Sequence, residues 1–255
     1  KNKKLQSEIN KYFLNPILNS DGIKFHQSEL IEYIKEADAV IVGLESISED
    51  VLNKCPDLKI ISKFGVGLNN IDLDACRKKN VSIGWTGGVN KLSVAEMALG
   101  FMLMFARNLY TTSNELKNDI WNKSGGFQLS GKTVGIIGLG YTGKELVRLL
   151  KPFGCKILVN DIINQDLYYR ENNLQKTSKE EVFKTSDLVT IHTPHNNTTN
   201  NMVDAKVLKS MKNSAYIINT ARGGIINEKD LKHALQNNVI AGAAIDAYIK
   251  EPPTD

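Results

Sequence analysis

Thr133-Val134-Gly135-Ile136-Ile137-Gly138-Leu139-Gly140-Tyr141-Thr142-Gly143 is the stretch that decides how this 255-residue chain is read. An apolar run leads into glycines at 138, 140 and 143, and a helical pattern over 144–150 leaves them. Glycines recur in any turn, but strand, Gly-x-Gly-x-x-Gly and helix in succession carry a mechanism. The first glycine permits a tight turn and the second lets backbone approach a pyrophosphate. The third lets helix and strand pack closely, and the helix N-terminus offers N–H groups and a positive dipole end.

The next apolar run, 156–159, ends in Asn160-Asp161, 23 residues beyond Gly138. A carboxylate there accepts from the adenosine ribose hydroxyls and repels a 2′-phosphate, which favours NAD over NADP. The alternative for Asp161 is a solvated turn residue or a helix cap.

Working outward, further strand patterns occupy 188–191, 215–218 and 240–245, with helical patterns at 203–211 and 228–236. Before the glycine motif, runs at 39–42, 58–61 and 81–83 alternate with helical signals, and Leu5, Ile9, Tyr12 and Phe13 share a helical face. Strands alternating with helices indicate an α/β protein with parallel sheets. An amphipathic pattern from Leu92 to Leu109, with Ser93 and Glu96 spaced as a capping box, joins the two blocks. The length is a soft prior for two modest domains at about 150 residues per domain, and the expected domains are 1–91, binding substrate, and 92–255, binding the nucleotide.

Composition narrows the function. Hydrophobic residues make up 42% and charged residues 24%, as in an ordinary globular protein. The net charge of +4 is scattered, and the cluster Lys1, Lys3 and Lys4 reads as a solvated terminus, so no nucleic-acid partner is expected. Cys55, Cys76 and Cys155 are sparse and lack a CxxC pair, which argues against disulfides and a metal and for the cytoplasm. The apolar stretch from Met97 to Ala106 is about half a bilayer span, so no membrane is expected. The chain begins with Lys1 rather than methionine, so the natural start is expected to be processed or left out.

Chemistry is expected where strands end, because ligands of open α/β sheets bind there. Arg222, in Asn219-Thr220-Ala221-Arg222-Gly223-Gly224, follows the strand pattern 215–218. Its guanidinium there could grip a carboxylate bidentately and polarise a neighbouring carbonyl; the alternative is an arginine paired with a nearby acid. Asp246 ends 240–245 and Glu251 follows shortly after. A carboxylate beside an imidazole raises the imidazole's pKa and fixes its tautomer; a turn acid and a solvated loop are the alternatives.

Together these residues resemble the D-isomer specific 2-hydroxyacid dehydrogenase family, whose branches include phosphoglycerate dehydrogenase. The resemblance runs through Gly65-Val66-Gly67-Leu68-Asn69-Asn70-Ile71-Asp72, Ser93-Val94-Ala95-Glu96 and the glycine motif. It continues through His192-Thr193-Pro194, Asn219 to Gly223, Ala241 to Asp246 and Glu251-Pro252. It implies two Rossmann-like or flavodoxin-like parallel-sheet domains with a cleft between them, a homodimer, and reversible hydride transfer between NAD and a D-2-hydroxy or 2-keto acid. It also implies roles. Arg222 binds the substrate carboxylate with the backbone of Val66 and Gly67, where the alternative is simply a tight turn. Gly138, Gly140, Tyr141, Thr142, Gly143, Asp161, His192, Thr193, Pro194, Thr199, Thr220, Ala221 and Asp246 line the cofactor. Glu251 assists an acid/base histidine in a Pro-His pair beyond it.

His26, His192, His195 and His233 do not match that histidine, and the sequence stops at Asp255. The expectation is that both ends of a longer enzyme are absent. The alternative is an NAD-sensing scaffold like the family's corepressor relatives. Phosphoglycerate-type relatives often carry arginine in the stretch matching Val42 to Ser46. Here Glu45 would repel a dianion if it faced the site, with Lys63 as a possible compensating cation.

Overall fold

Short side chains that accept the first free N–H groups start many of the helices. Ser48, Asp72, Ser178, Asp204 and Asn227 each accept from the residue three positions on. The computed structural model describes residues 3–13 and 15–254. Of the expected solvated basic cluster, Lys3 and Lys4 are exposed, while Lys1, like Asp255, lies outside the described residues.

The chain divides into two compact units, Lys1–Gly87 and Gly88–Asp255. The boundary falls just before α5 rather than within its first turn. In the first unit the order is α1 (Lys3–Tyr12), α2 (Gln27–Ile34), β1 (Ala39–Val42), α3 (Glu49–Lys54), β2 (Ile60–Lys63), α4 (Leu73–Lys78) and β3 (Ser82–Gly84). Its described strands form a parallel sheet, β1-β2-β3. Val42, Ile47, Val51, Leu52 and Ile61 fill the core beneath it. Helix α1 forms where expected but buries none of its residues.

The second unit opens with α5 (Lys91–Ala106) and α6 (Leu109–Lys117). Helix α5 is the expected one, ending slightly early, and α6 is an additional helix set off from it by Asn108, which takes a left-handed φ of 52°. The capping box does not form. The helix starts at Lys91, so Ser93 is already helical and Asn90 takes the flanking position. No single described helix is long and apolar enough to cross a membrane; α5 and α6 reach that length only together, bent by 63° at their break.

There follow β4 (Thr133–Ile137), α7 (Tyr141–Leu150), β5 (Lys156–Asn160), α8 (Asp166–Glu171), β6 (Gln175–Lys176), α9 (Lys179–Thr185), β7 (Leu188–Ile191), α10 (Ala205–Ser210), β8 (Tyr216–Asn219), α11 (Glu228–Gln236) and β9 (Gly242–Ile245). All pairings are parallel, in the order β6-β5-β4-β7-β8-β9. The direction of winding reverses between β4 and β7, which opens a crevice at the carboxyl ends of those strands. Strand residues alternate between two cores. Val134 and Ile136 pack with Ala98 and Met102 of α5 and Leu146 of α7. Ile137, Val189 and Ile217 pack with Phe183, Leu208 and Leu231 on the other face. Burial of each such aliphatic side chain contributes roughly 1.5–3 kcal/mol, which makes the strand ends a rigid platform.

Candidate functional site

The crevice is built from the glycine turn upward. Gly138 has φ +93°, and a Cβ there would lie 2.7 Å from the His192 carbonyl oxygen, so glycine is required. A Cβ on Gly143 would strike the Gly138 carbonyl, which is the close helix–strand approach expected of the third glycine. Gly140 differs, since a Cβ on it would meet nothing within 4 Å. It flanks the start of α7 and offers no side-chain cap. Among the described residues the N–H groups of Gly140, Tyr141 and Thr142 make no hydrogen bond. Open space before unpaired donors at the positive end of a helix can hold an anion.

Asp161 follows β5. Its carboxylate accepts from the N–H of Leu139 at 2.5 Å and from that of Ile163 at 2.7 Å. It is thus a half-buried turn residue and not a cap for α8, and through Leu139 it also ties the glycine turn beside it.

Beyond β7 and β8 lie polar atoms shut off from solvent without partners: His192 Nδ1, Thr193 Oγ1 and Thr220 Oγ1. His192 Nε2 lies 3.0 Å from Thr190 Oγ1. Although the residue as a whole is half-buried, desolvation of the ring lowers its pKa to about 4, so it is neutral at physiological pH. Buried polar atoms without partners are costly, and several at one strand edge point to a polar ligand. Thr199 is engaged within its own loop, where its hydroxyl donates to the Pro194 carbonyl at 2.7 Å and accepts from the Asn196 N–H at 2.8 Å.

Arg222 is half-buried, and its Nη1 donates to the Ala221 carbonyl at 2.6 Å. Among the described residues it has no carboxylate partner, so the ion-pair alternative is not realised. Its loop is shaped by Asn219, which is 2% exposed. Asn219 accepts from the Ala221 N–H at 3.1 Å and donates to the Arg222 carbonyl at 2.8 Å. Sequence reasoning gave Asn219 no role. The available signal was an asparagine at the end of an apolar strand, a residue suited to clamp the following turn.

Asp246 is exposed just beyond β9, tied by its N–H to the Asn219 carbonyl at 3.0 Å. Glu251 is exposed and accepts from the Tyr248 N–H at 3.1 Å. None of the histidines bonds to it: His26 stands before α2, His195 meets Asn200 at 3.1 Å, and His233 lies on the exposed side of α11.

In the first unit, Val66 and Gly67 follow β2. Their N–H groups make no hydrogen bond among the described residues. The Trp85 indole N–H donates to the Val66 carbonyl at 3.0 Å, a support that sequence reasoning missed. Among the described residues no cluster of three His, Cys, Asp or Glu side chains is placed to hold a metal ion.

The model of the D-isomer specific 2-hydroxyacid dehydrogenase NAD binding domain matches residues 99–255. The chain belongs to this family. It is 36% identical to the D-3-phosphoglycerate dehydrogenase of Methanocaldococcus jannaschii over 90% of its own length, but spans only 44% of that protein. It is 33% identical to the hydroxypyruvate reductase of Thermotoga maritima, covering 90% of this chain and 75% of that one. Among solved structures it resembles the Aquifex aeolicus D-lactate dehydrogenase crystallised with NAD and lactic acid. The TM-score is 0.86 at 26% identity, covering 98% of this chain and 74% of the other. The second unit of this dehydrogenase-family chain thus carries an NAD-binding domain, and its residues fit that cofactor. Gly140 and the first turn of α7 can take the pyrophosphate, Asp161 the ribose, and the unpaired atoms of His192, Thr193 and Thr220 the polar groups that remain.

Proposed function

We propose that this protein interconverts a D-2-hydroxy acid and its 2-keto acid, in the cytoplasm. The observation that carries the reading is Arg222, a half-buried guanidinium without a carboxylate partner among the described residues, two residues from the unpaired buried hydroxyl of Thr220. A guanidinium so placed binds the substrate carboxylate through parallel hydrogen bonds and polarises the adjacent carbonyl oxygen. In the first unit, the open N–H groups of Val66 and Gly67 are suited to a substrate carboxylate. NAD, when bound, supplies the two-electron acceptor or donor for the exchange. Asp161 holds its ribose, Asp246 its carboxamide, and Thr199 with Pro194 and Ala221 shapes the wall around it. Neutral His192 is suited to hydrogen bonding there and not to carrying the reaction's proton. Glu251 is suited to orient an acid/base histidine, and none of His26, His192, His195 and His233 is placed against it.

The test is NADH oxidation by the intact protein with a panel of 2-keto acids. Turnover supports the reading, and NADH binding without turnover on any of them contradicts it. The scaffold alternative finds no support among the relatives, which carry dehydrogenase or reductase names. The sparse cysteines Cys55, Cys76 and Cys155, with no CxxC pair, favour a reducing compartment. A homodimer is part of the proposal, since Leu109, Tyr110, Leu116, Ile120 and Trp121 expose a run of apolar surface on and after α6. Light scattering of the intact protein should give twice the chain mass, and a monomer at micromolar concentration contradicts that part.

A further inference from the structure

Three loops leave the carboxyl edge of the first unit's sheet side by side, because Val42 pairs with Lys63 and Ser62 with Gly84. These are Gly43 to Glu45 after β1, Phe64 to Gly67 after β2, and Trp85 after β3. The Lys63 ammonium donates to the Gly43 carbonyl and, at 2.8 Å, to Asn70 Oδ1. The Asn70 amide donates to the Glu45 carbonyl at 2.6 Å and to the Gly43 carbonyl at 3.3 Å. Glu45 folds back over its own loop, and its Oε2 accepts from the Gly43 N–H at 2.7 Å. Lys63, Asn70, Gly43 and Glu45 are all half-buried, so this is a built network and not a pair of waving surface charges.

Its charge balance limits what can bind beside it. The loops after β1 and β2 carry Glu45, together with Asp72, which is spent on capping α4 at 2.9 Å. Against these stands Lys63, already directed at neutral oxygens. A phosphate ester needs a surplus of cationic donors, best supplied as arginine forks. Here it would meet a carboxylate instead. A bare alkyl group would bury the same carboxylate without replacing its lost water. A hydroxyl suits the place, because a carboxylate that accepts one hydrogen bond has capacity for more.

We propose that Glu45, braced by Lys63 and Asn70, selects a 2-hydroxy or 2-keto acid with a free hydroxyl on the carbon next to the reacting one, and rejects a phosphate ester there. This rests on the assignment of the Val66–Gly67 turn to the substrate carboxylate. Discrimination of this kind works by an attractive contact to one ligand and a repulsive one to the other.

The test uses the intact protein, NADH, and pyruvate, hydroxypyruvate and phosphohydroxypyruvate, which differ only in the third carbon's substituent. Hydroxypyruvate should exceed both others in kcat/KM by about tenfold or more. Glu45→Gln keeps the side chain's size and an oxygen for the Gly43 N–H. It should raise the ratio of phosphohydroxypyruvate to hydroxypyruvate kcat/KM at least about tenfold. A wild-type preference for pyruvate or phosphohydroxypyruvate overturns the proposal, as does an equal loss on both substrates in the variant, which marks Glu45 as merely structural. Bound NADH with no turnover of any probe overturns the dehydrogenase reading itself, and this proposal with it.

Discussion

The backbone N–H of Leu139 donates to Oδ2 of Asp161 across 2.5 Å, so the glycine turn and the acid after β5 are locked together. A carboxylate already fixed in place meets ribose hydroxyls without reorganising, and stands against a 2′-phosphate. Asp161→Asn should raise the Kd for NADH about tenfold and narrow the preference for NADH over NADPH. Fluorescence titration with both cofactors checks this; an unchanged ratio of the two Kd values contradicts it.

Two neighbouring glycines should fail in different ways. A Cβ on Gly140 meets only open space, so Gly140→Ala should leave Tm within about 2 °C of wild type while weakening NADH binding about tenfold or more. Gly143→Ala drives a methyl group into the Gly138 carbonyl and should cost about 1–3 kcal/mol of stability, seen as a clear drop in Tm. Equal melting temperatures for the two variants would count against the packing described for the turn.

His192 makes a pH prediction. Its pKa is pushed down to about 4 by burial, while an unfolded histidine titrates near 6.5. As pH falls from about 6.5 to 4 the unfolded chain takes up the proton first, so stability is lost across that window by up to roughly 3 kcal/mol and is untouched above it. His192→Gln should flatten the fall in Tm between pH 6.5 and 4 relative to wild type. Parallel curves for the two proteins would contradict the burial of a neutral ring.

The glycine turn was legible because its requirements are local: a positive φ at 138 and a close approach at 143 leave little choice of residue. Strand positions in the second unit were legible for a related reason, since buried parallel strands read as short apolar runs. Edge strand β6 was not, because Gln175 and Lys176 are exposed and polar and owe their conformation to pairing with β5. The break at Asn108 and the early start of α5 depend on single backbone angles that hydropathy does not encode. Nor could the sequence reveal that Lys63 turns inward to Gly43 and Asn70, which only the pairing of β1 with β2 brings within reach.

Asn219 positions Arg222 without itself being a candidate for contact with substrate. Asn219→Ala removes both clamps on the loop and should cut kcat/KM about tenfold or more through misplacement of the guanidinium, with less effect on NADH affinity. Asn219→Asp keeps the acceptor for the Ala221 N–H and should recover part of the loss. Steady-state kinetics on the two variants decide the point, and full activity in the alanine variant contradicts it.

If Arg222 binds the acid end of a substrate beside NAD, loss of its guanidinium must disable reduction without loosening the cofactor. With a 2-keto acid that the wild type reduces, Arg222→Ala should lower kcat/KM about a hundredfold or more and change the Kd for NADH by less than about twofold. An unchanged kcat/KM would contradict it.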